Sequence, residues 1–410
     1  MGHDTRQGGH IGNMNFKFTE EQEAFRREVR EFIEAEIPED LLSMQIKEQG
    51  CSNPFSEDIY RKIAKKGWLG LLFPKEYGGQ GKGHVGHFIL MEELERSGRV
   101  SWGIADGISI TVNLFGRHLV NYGTEEQKKI WIPQILNGEV RFAVGMTEPN
   151  AGSDLAAIEL KAEEDGDYYI LNGSKLFNAG WLCTHIFAMA KTDWNVVPKH
   201  KGISNLIVDL KSHGVTISSM LTHGDAKRSE VAFENVKVPK ANVVGEKNRG
   251  FYMEVAGLAF ERLQYVGGSR IFHLFEGLVE YVKNTKWEGK FLSEIPDVRY
   301  KLADIATEIE MARLISYHAA WLADRGTPSI TESSMSWLFA NESFERFANA
   351  ALDILGEHGL LESRGADEKW VPLKGRLAMA WRDSRSFRIG GGTSEIIRNA
   401  IAAGIGLPRK

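Results

Sequence analysis

The sequence predicts an α+β protein in three blocks: an N-terminal helix bundle, a central small β-barrel or sandwich, and a C-terminal four-helix bundle. Three observations lead there. Apolar residues recur at helical spacing as far as Trp131, short β-rich runs fill the chain from Arg141 to Val244, and helical periodicity returns from Gly250. The 410 residues, 42% of them hydrophobic and 26% charged, suffice for a large core divided into two or three domains. The boundaries read from these changes of rhythm are 14–139, 140–245 and 246–410.

In the first block Thr19 is placed to cap a helix whose Phe25, Val29 and Phe32 form one apolar face. A second helix spans Ser56 to Lys66 and stops at Gly67; others run from His87 to Ser97 and from Trp102 to Tyr122. Thr124-Glu-Glu-Gln127 opens another with a capping-box pattern. In the second block Asn172-Gly173 sits between β-rich runs and reads as a hairpin turn. The runs 185–190, 204–210, 215–220 and 231–238 continue as short strands. In the third, 296–323 and 331–356 are long amphipathic helices, the material of a bundle.

Composition excludes several functions. A net charge of −5 offers no basic face for nucleic acid. Two cysteines, Cys51 and Cys183, are too few for a disulfide framework and favour a reducing, cytoplasmic compartment. No apolar run approaches the roughly 20 residues that span a bilayer. The first thirteen residues, MGHDTRQGGHIGN, lack the marks of a secretory signal or transit peptide and read as a tag or extended start. Among the twelve His, His84 and His87 come closest to metal-ligand spacing, but no carboxylate or Cys completes a set, and no Gly-x-Ser-x-Gly elbow is present.

The stretch that organises the chain is Phe142-Ala-Val-Gly-Met-Thr-Glu-Pro-Asn-Ala-Gly-Ser-Asp154. It starts as a buried strand and breaks into a loop of small residues, which can approach a ligand closely and leave N–H groups for an anion. A polar β-turn is the plain alternative. Near the other end stands Arg388-Ile-Gly-Gly-Gly-Thr-Ser-Glu-Ile-Ile-Arg398. Together these two segments resemble the signature segments of the acyl-CoA dehydrogenase family, and the resemblance runs from about Phe16 to about Ile405.

That resemblance implies FAD, held between the β-domain and the C-terminal bundle, and an acyl-CoA substrate. The family reaction takes a proton from the carbon beside the thioester carbonyl and passes a hydride from the next carbon to flavin N5. Such a reaction needs hydrogen bonds to the carbonyl oxygen and a carboxylate of raised basicity. In most of the family the Glu lies just before the Gly-Thr of the C-terminal motif; here that position is Gly391. A minority, including the isovaleryl- and long-chain-specific branches, carries it on an earlier helix, which Ala256-Gly-Leu-Ala-Phe-Glu-Arg-Leu263 resembles. Glu261 is therefore the expected base, with a solvated helix-surface Glu as the alternative. Losing the side chains usual at 390 and 391 is expected to empty volume for a branched, cyclic or otherwise bulky acyl chain. The N–H of Gly391 remains to donate to the thioester oxygen. A glycine run that merely lets the backbone bend is the alternative here.

The resemblance also assigns flavin contacts to Met146, Thr147, Gly152, Ser153, Asn178, Ala179, Thr393 and Glu395, and substrate contacts to Ser153, Arg262, Gly390 and Gly391. Ala179 stands where a hydroxyl residue is common. Thr285 stands where the family often brings an Arg to a neighbouring subunit's FAD diphosphate. In the adjoining Asp353-Ile-Leu-Gly-Glu-His-Gly359 loop, with Asp353 and Gly356 as cofactor contacts, Asp353 replaces the usual Gln. Trp181 and Trp381 could stack near the ring system, with core packing as the alternative. The expected partner is an electron-transfer flavoprotein, and the expected assembly a homo-oligomer, tetramer or dimer. Two other readings stay open: a flavin oxidase or monooxygenase on the same fold, and a non-catalytic subunit of a mixed oligomer.

Overall fold

The computed structural model describes residues 16–263, 266–327, 330–362 and 371–408; the expected tag or extended start lies outside the described residues. The chain opens with α1 (Glu20–Glu36). Thr19 Oγ1 accepts from the Gln22 N–H at 3.2 Å and the Gln22 side chain accepts from the Thr19 N–H at 2.9 Å, a complete capping box. Phe25, Val29 and Phe32 are buried as their spacing requires. The short α2 (Leu41–Gln49) buries Leu42 alone, so its pattern carried little signal. Next come α3 (Glu57–Lys65), capped by Ser56, and α4 (Gly83–Arg96).

The start of α4 lies upstream of the expected His87 because its cap is remote. The Asp324 carboxylate accepts from the His84 N–H, and from that of Val85 at 2.9 Å. No local pattern shows such a cap. The expected helix from 102 to 122 is continuous but uneven. It comprises α5 (Trp102–Ile108), a stretch of wide π-helical turns (Ser109–Gly116) and α6 (Arg117–Tyr122). In that stretch Thr111 Oγ1 accepts from the Phe142 N–H at 3.0 Å, tying the helix to the first strand. The block closes with α7 (Glu125–Leu136), capped by Thr124 and Gln127 as the sequence predicts.

The central block holds β1 (Phe142–Gly145), β2 (Lys161–Asp165), β3 (Tyr168–Asn178), β4 (His185–Lys191), β5 (Ile203–Asp209), β6 (Val215–Leu221), β7 (Lys227–Pro239) and β8 (Val243–Val244). The order is β6-β7-β3-β2-β4-β5-β8, with β1 parallel to β4. Among the described residues the strand ladder passes between the two halves at the Lys161–Lys191 pair of β2 and β4, and residues of both share one core, including Leu171, Val231, Ile186 and Leu206. A sheet folded back on itself in this way is the expected sandwich-like body.

The hairpin expectation at Asn172-Gly173 is corrected. Strand β3 runs straight through these residues with a shift of register against β7, and the turn lies at Gly166 instead. Gly173 has φ 138°, and a Cβ there would lie 3.2 Å from the Leu160 Cα, so glycine answers a bulge and a close backbone approach.

Helix α8 (Gly250–Arg262) leads into α9 (Ser269–Asn284), the small hairpin β9–β10 (Lys286–Trp287, Lys290–Phe291), α10 (Pro296–Asp324), α11 (Ile330–Leu355), α12 (Arg376–Phe387) and α13 (Ser394–Gly404). Leu278, Ile309, Phe347 and Leu377 bring α9, α10, α11 and α12 into one core, the expected four-helix bundle. Helix α8 stands where the three blocks meet. Its Glu254 accepts from Asn205 of β5 at 3.0 Å and lies 3.5 Å from His118 of α6. Glu261, seven residues on, falls on the same face about 10 Å further along the axis.

Candidate active site

The end of β1 is built around a buried ion pair. Glu148, in the loop that follows the strand, accepts from Lys175 Nζ at 2.7 Å, from the Leu160 N–H at 2.9 Å and from the Glu159 N–H. Lys175 is fully buried and also donates to the Met146 carbonyl at 3.2 Å. Burial draws its ammonium down to about 8, against the pull of Glu148. The loop is pinned by this pair, so Thr147 is held with its carbonyl accepting from the Leu176 N–H at 2.8 Å. Beyond it Gly152 faces open space and Ser153 is exposed.

The strand β3 ends beside this loop. Asn178 is occupied at both ends of its amide: it donates to the Lys175 carbonyl at 3.0 Å and accepts from the Gly180 N–H at 2.9 Å. Ala179 is buried, and Phe177 is 56% exposed at φ 57°, a conformation that a bulky residue adopts only where its surroundings impose it. The sequence assigns no role to Phe177, Glu148 or Lys175, although Glu148 lies in the 142–154 stretch and the other two stand just before Asn178. What it lacked was the pairing, which only the folded register supplies.

The second half of the site is the meeting of α8 with the glycine loop before α13. Glu261 is partly buried and has no hydrogen-bond partner among the described residues. Burial pushes its carboxyl up to about 7; neighbouring Arg262 opposes the shift, while Glu254 and Asp106 add like charge. Arg262 itself is buried, not a surface residue. Its Nη1 donates to Ser334 Oγ of α11 at 3.2 Å and its Nη2 to the Gly391 carbonyl at 3.3 Å. Gly391 and Gly392 have φ of 69° and 105°, left-handed values that favour glycine. The Gly391 N–H has no acceptor among the described residues. Thr393 caps α13, accepting from the Ile396 N–H at 3.2 Å, and Glu395 is exposed in the first turn.

The expected empty volume is half there. Gly390 faces open space, the nearest atom to a Cβ being the Ser386 carbonyl oxygen at 3.6 Å. Gly391 does not: a Cβ would lie 2.7 Å from Trp337 Cζ2. The indole of α11 has taken that space.

The two halves are joined through the start of β7. Trp181 donates its backbone N–H to Ser229 Oγ at 2.9 Å and its indole N–H to the Lys227 carbonyl at 3.0 Å. Between them, Arg228 pairs with Asp106 of α5 at 3.1 Å. Asp106 is the same carboxylate that acts on Glu261. The Trp181 and Trp381 indoles are both partly buried and held by hydrogen bonds: Trp381 donates its indole N–H to Asn349 at 2.8 Å, and Lys227 and Arg385 lie over the Trp181 and Trp381 rings.

Asp353 and Gly356, expected in a loop that serves a neighbouring subunit's cofactor, stand apart from Glu261 and the glycine loop. They lie at the far end of α11, where Asp353 is exposed and 3.7 Å from Lys301, with Thr285 closing the nearby end of α9. His84 and His87 are committed elsewhere, to Arg117 at 2.8 Å and Asn113 at 2.9 Å, and burial holds them neutral. No group of three or more His, Cys, Asp or Glu placed for a metal occurs among the described residues. A cavity of about 610 Å³ lined by Asp40, Ser43, His273, Gly277, Lys374 and Arg376 shares no residue with this site.

A strand-end loop with open Gly152, a Gly391 N–H without an acceptor among the described residues, a left-handed glycine run leading into a helix N-terminus and a carboxyl raised by burial are the groups the chain offers to a ligand here. The residues present on this chain fit a flavin. Comparison with known proteins gives the family. The acyl-CoA dehydrogenase N-terminal, middle and C-terminal domain models match residues 19–139, 143–236 and 248–406. The chain belongs to the acyl-CoA dehydrogenase family, FAD flavoproteins that dehydrogenate acyl-CoA thioesters. It is 33% identical to the 3-(aryl)acrylate reductase of Clostridium sporogenes, covering 95% of this chain and 99% of that one. It is 34% identical to the caffeyl-CoA reductase-Etf complex subunit CarC of Acetobacterium woodii, covering 94% and 98%. Among solved structures, the Tcur3481-Tcur3483 steroid ACAD superposes with a TM-score of 0.85 at 30% identity, covering 97% of this chain and all of that one. No helix among the described residues is long and apolar enough to cross a membrane.

Proposed function

We propose that this chain dehydrogenates a branched, cyclic or otherwise bulky acyl-CoA, with Glu261 as the base that removes the α-proton. The observation that carries this reading is the state of Glu261: partly buried, without a hydrogen-bond partner among the described residues, and raised to about 7. A carboxylate so raised is a stronger base than one in water, and about half of it is still ionised at neutral pH. Flavin, when bound, supplies the acceptor for the β-hydride. The protein's own part is to orient the thioester and to receive the proton at the Glu261 carboxylate. The Gly391 N–H, its carbonyl fixed by Arg262, is the donor for the thioester oxygen as negative charge develops there.

Support for bulk comes from the open space at Gly390 and from the names of the relatives, which act on aryl-, caffeyl- and steroid-bearing substrates. The relative named for an Etf complex supports an electron-transfer flavoprotein as acceptor, and two free cysteines fit a reducing compartment. A homo-oligomer completes the reading. One observation favours a second: exposed Asp353 beside Lys301, and Thr285 at the end of α9, put a carboxylate and a hydroxyl where the resemblance expects cross-subunit diphosphate contacts, as suits one chain of a mixed oligomer.

Anaerobic titration of the FAD-loaded protein with linear, branched, alicyclic and aryl-substituted thioesters tests the proposal. Bleaching of the flavin by the bulky members, and little by short linear ones, is expected. A flavin that stays oxidised with every thioester overturns the catalytic reading and leaves the partner-subunit one.

A further inference from the structure

Two helices, α8 and α11, converge behind the glycine loop, and they leave its two sides unlike. Arg262 of α8 reaches Ser334 of α11 at 3.2 Å and the Gly391 carbonyl at 3.3 Å. Trp337 follows Ser334 by three residues, which places it on the same face of α11, towards the loop. It is 5% exposed, and its ring edge lies so close to Gly391 that a Cβ there would be 2.7 Å from Cζ2, 3.1 Å from Cε2 and 3.3 Å from Cη2. Three ring atoms at such distances mean that the indole, not a void, occupies the direction in which a side chain on residue 391 would start. On the Gly390 side nothing comes nearer than 3.6 Å.

We propose that Trp337 is a specificity-determining residue: its indole walls off the Gly391 side of the acyl site and confines substrate bulk to the Gly390 side. This rests on the dehydrogenase reading above and sharpens it to a substrate class. The site admits an acyl group whose bulk extends in one direction, such as a flat ring, and rejects groups that branch to both sides of the reacting carbons. It also explains why no acid stands at 391: Trp337 and a side chain there exclude one another, so the base comes from α8.

The test compares wild type, Trp337→Ala and Trp337→Phe, each FAD-loaded, with 3-phenylpropanoyl-CoA and with 2-ethylbutanoyl-CoA, which branches to both sides of its α-carbon. Truncation to Ala should raise kcat/KM for the branched thioester relative to the aryl one by about tenfold or more, the discrimination a few methylene-sized contacts supply. Phe should give a smaller change in the same direction and serves if the Ala variant fails to fold. In parallel, Gly391→Ala is introduced into wild type and into Trp337→Ala, and thermal midpoints are read. The backbone strain of Ala at φ 69° is common to both backgrounds, so a larger loss in wild type isolates the clash with the indole. An unchanged substrate ratio in folded variants that bleach, or equal losses from Gly391→Ala in both backgrounds, overturns this inference alone. A wild type that bleaches with neither of these two thioesters overturns this inference alone, and one that bleaches with no member of the linear, branched, alicyclic and aryl panel overturns the dehydrogenase reading as well.

Discussion

Glu148 and Glu261 both stand out of bulk water, one after β1 and the other on α8, and the protein treats them oppositely. Glu148 is surrounded by donors: a buried ammonium at 2.7 Å and two backbone N–H groups. Its charge is compensated where it stands, and its work is to hold the loop that begins at Thr147. Glu261 has no such donors among the described residues, and its one opposing cation, Arg262, spends its hydrogen bonds on Ser334 and Gly391. Burial is therefore stabilising in one case and activating in the other. The difference lies in the donors supplied: Glu148 is the more deeply buried of the two, yet Glu261 is the one left uncompensated.

The largest effect should come from Glu261→Gln. Turnover should fall by about 10²–10⁴-fold, the usual worth of a positioned base, while the flavin stays bound. In the paired region the expected loss is structural. Lys175→Met strands the Glu148 carboxylate and should cost about 3–5 kcal/mol of stability, read by chemical denaturation. If Lys175→Met unfolds nothing, Glu148 is not the compensated member of the comparison.

The stability of Glu261→Gln should move the other way. The carboxyl titrates near 7 in the folded chain, above its ordinary 4.5, so folding favours the protonated form. That advantage is complete below about pH 4.5 and is lost as pH rises through 7, leaving the charged carboxylate a liability at pH 8. The Gln variant should then be more stable than wild type at pH 8, by about 1–3 kcal/mol, and the gap should close towards pH 5. Arg262→Gln removes the cation that opposes this shift, so the alkaline-going rise of kcat/KM should move to higher pH; Arg262→Lys should restore part of it. A purely structural Arg262 would leave that limb in place. Smallest of all, Thr124→Ala removes a helix cap far from either glutamate and should cost about 1 kcal/mol without touching turnover.

How much of this was legible beforehand depends on the range of the interaction responsible. Helix periods, the caps at Thr19 and Thr124, and the α, β, α order are local, and the sequence carried them. The start of α4 was not, because its cap comes from Asp324. Asn172-Gly173 misled because the same two residues serve a turn or a bulge, and the choice is made by Leu160 and Asn235 across the sheet. At the site, the missing acid at 391 pointed to α8, but the volume it vacated was misjudged. Nothing along the chain says that residue 337 lies against residue 391. The Glu148–Lys175 pair escaped notice for the same reason.

The most direct test of Glu261 as the base follows the proton itself. The FAD-loaded protein is incubated with a bleaching thioester in D₂O, and deuterium at the substrate α-carbon is measured against pH. Wild type should wash deuterium into that position with a rate that rises through about pH 7, and Glu261→Gln, with its flavin retained, should not. Exchange that persists in the Gln variant at the wild-type rate, with the same dependence on pH, would show that another group takes the proton.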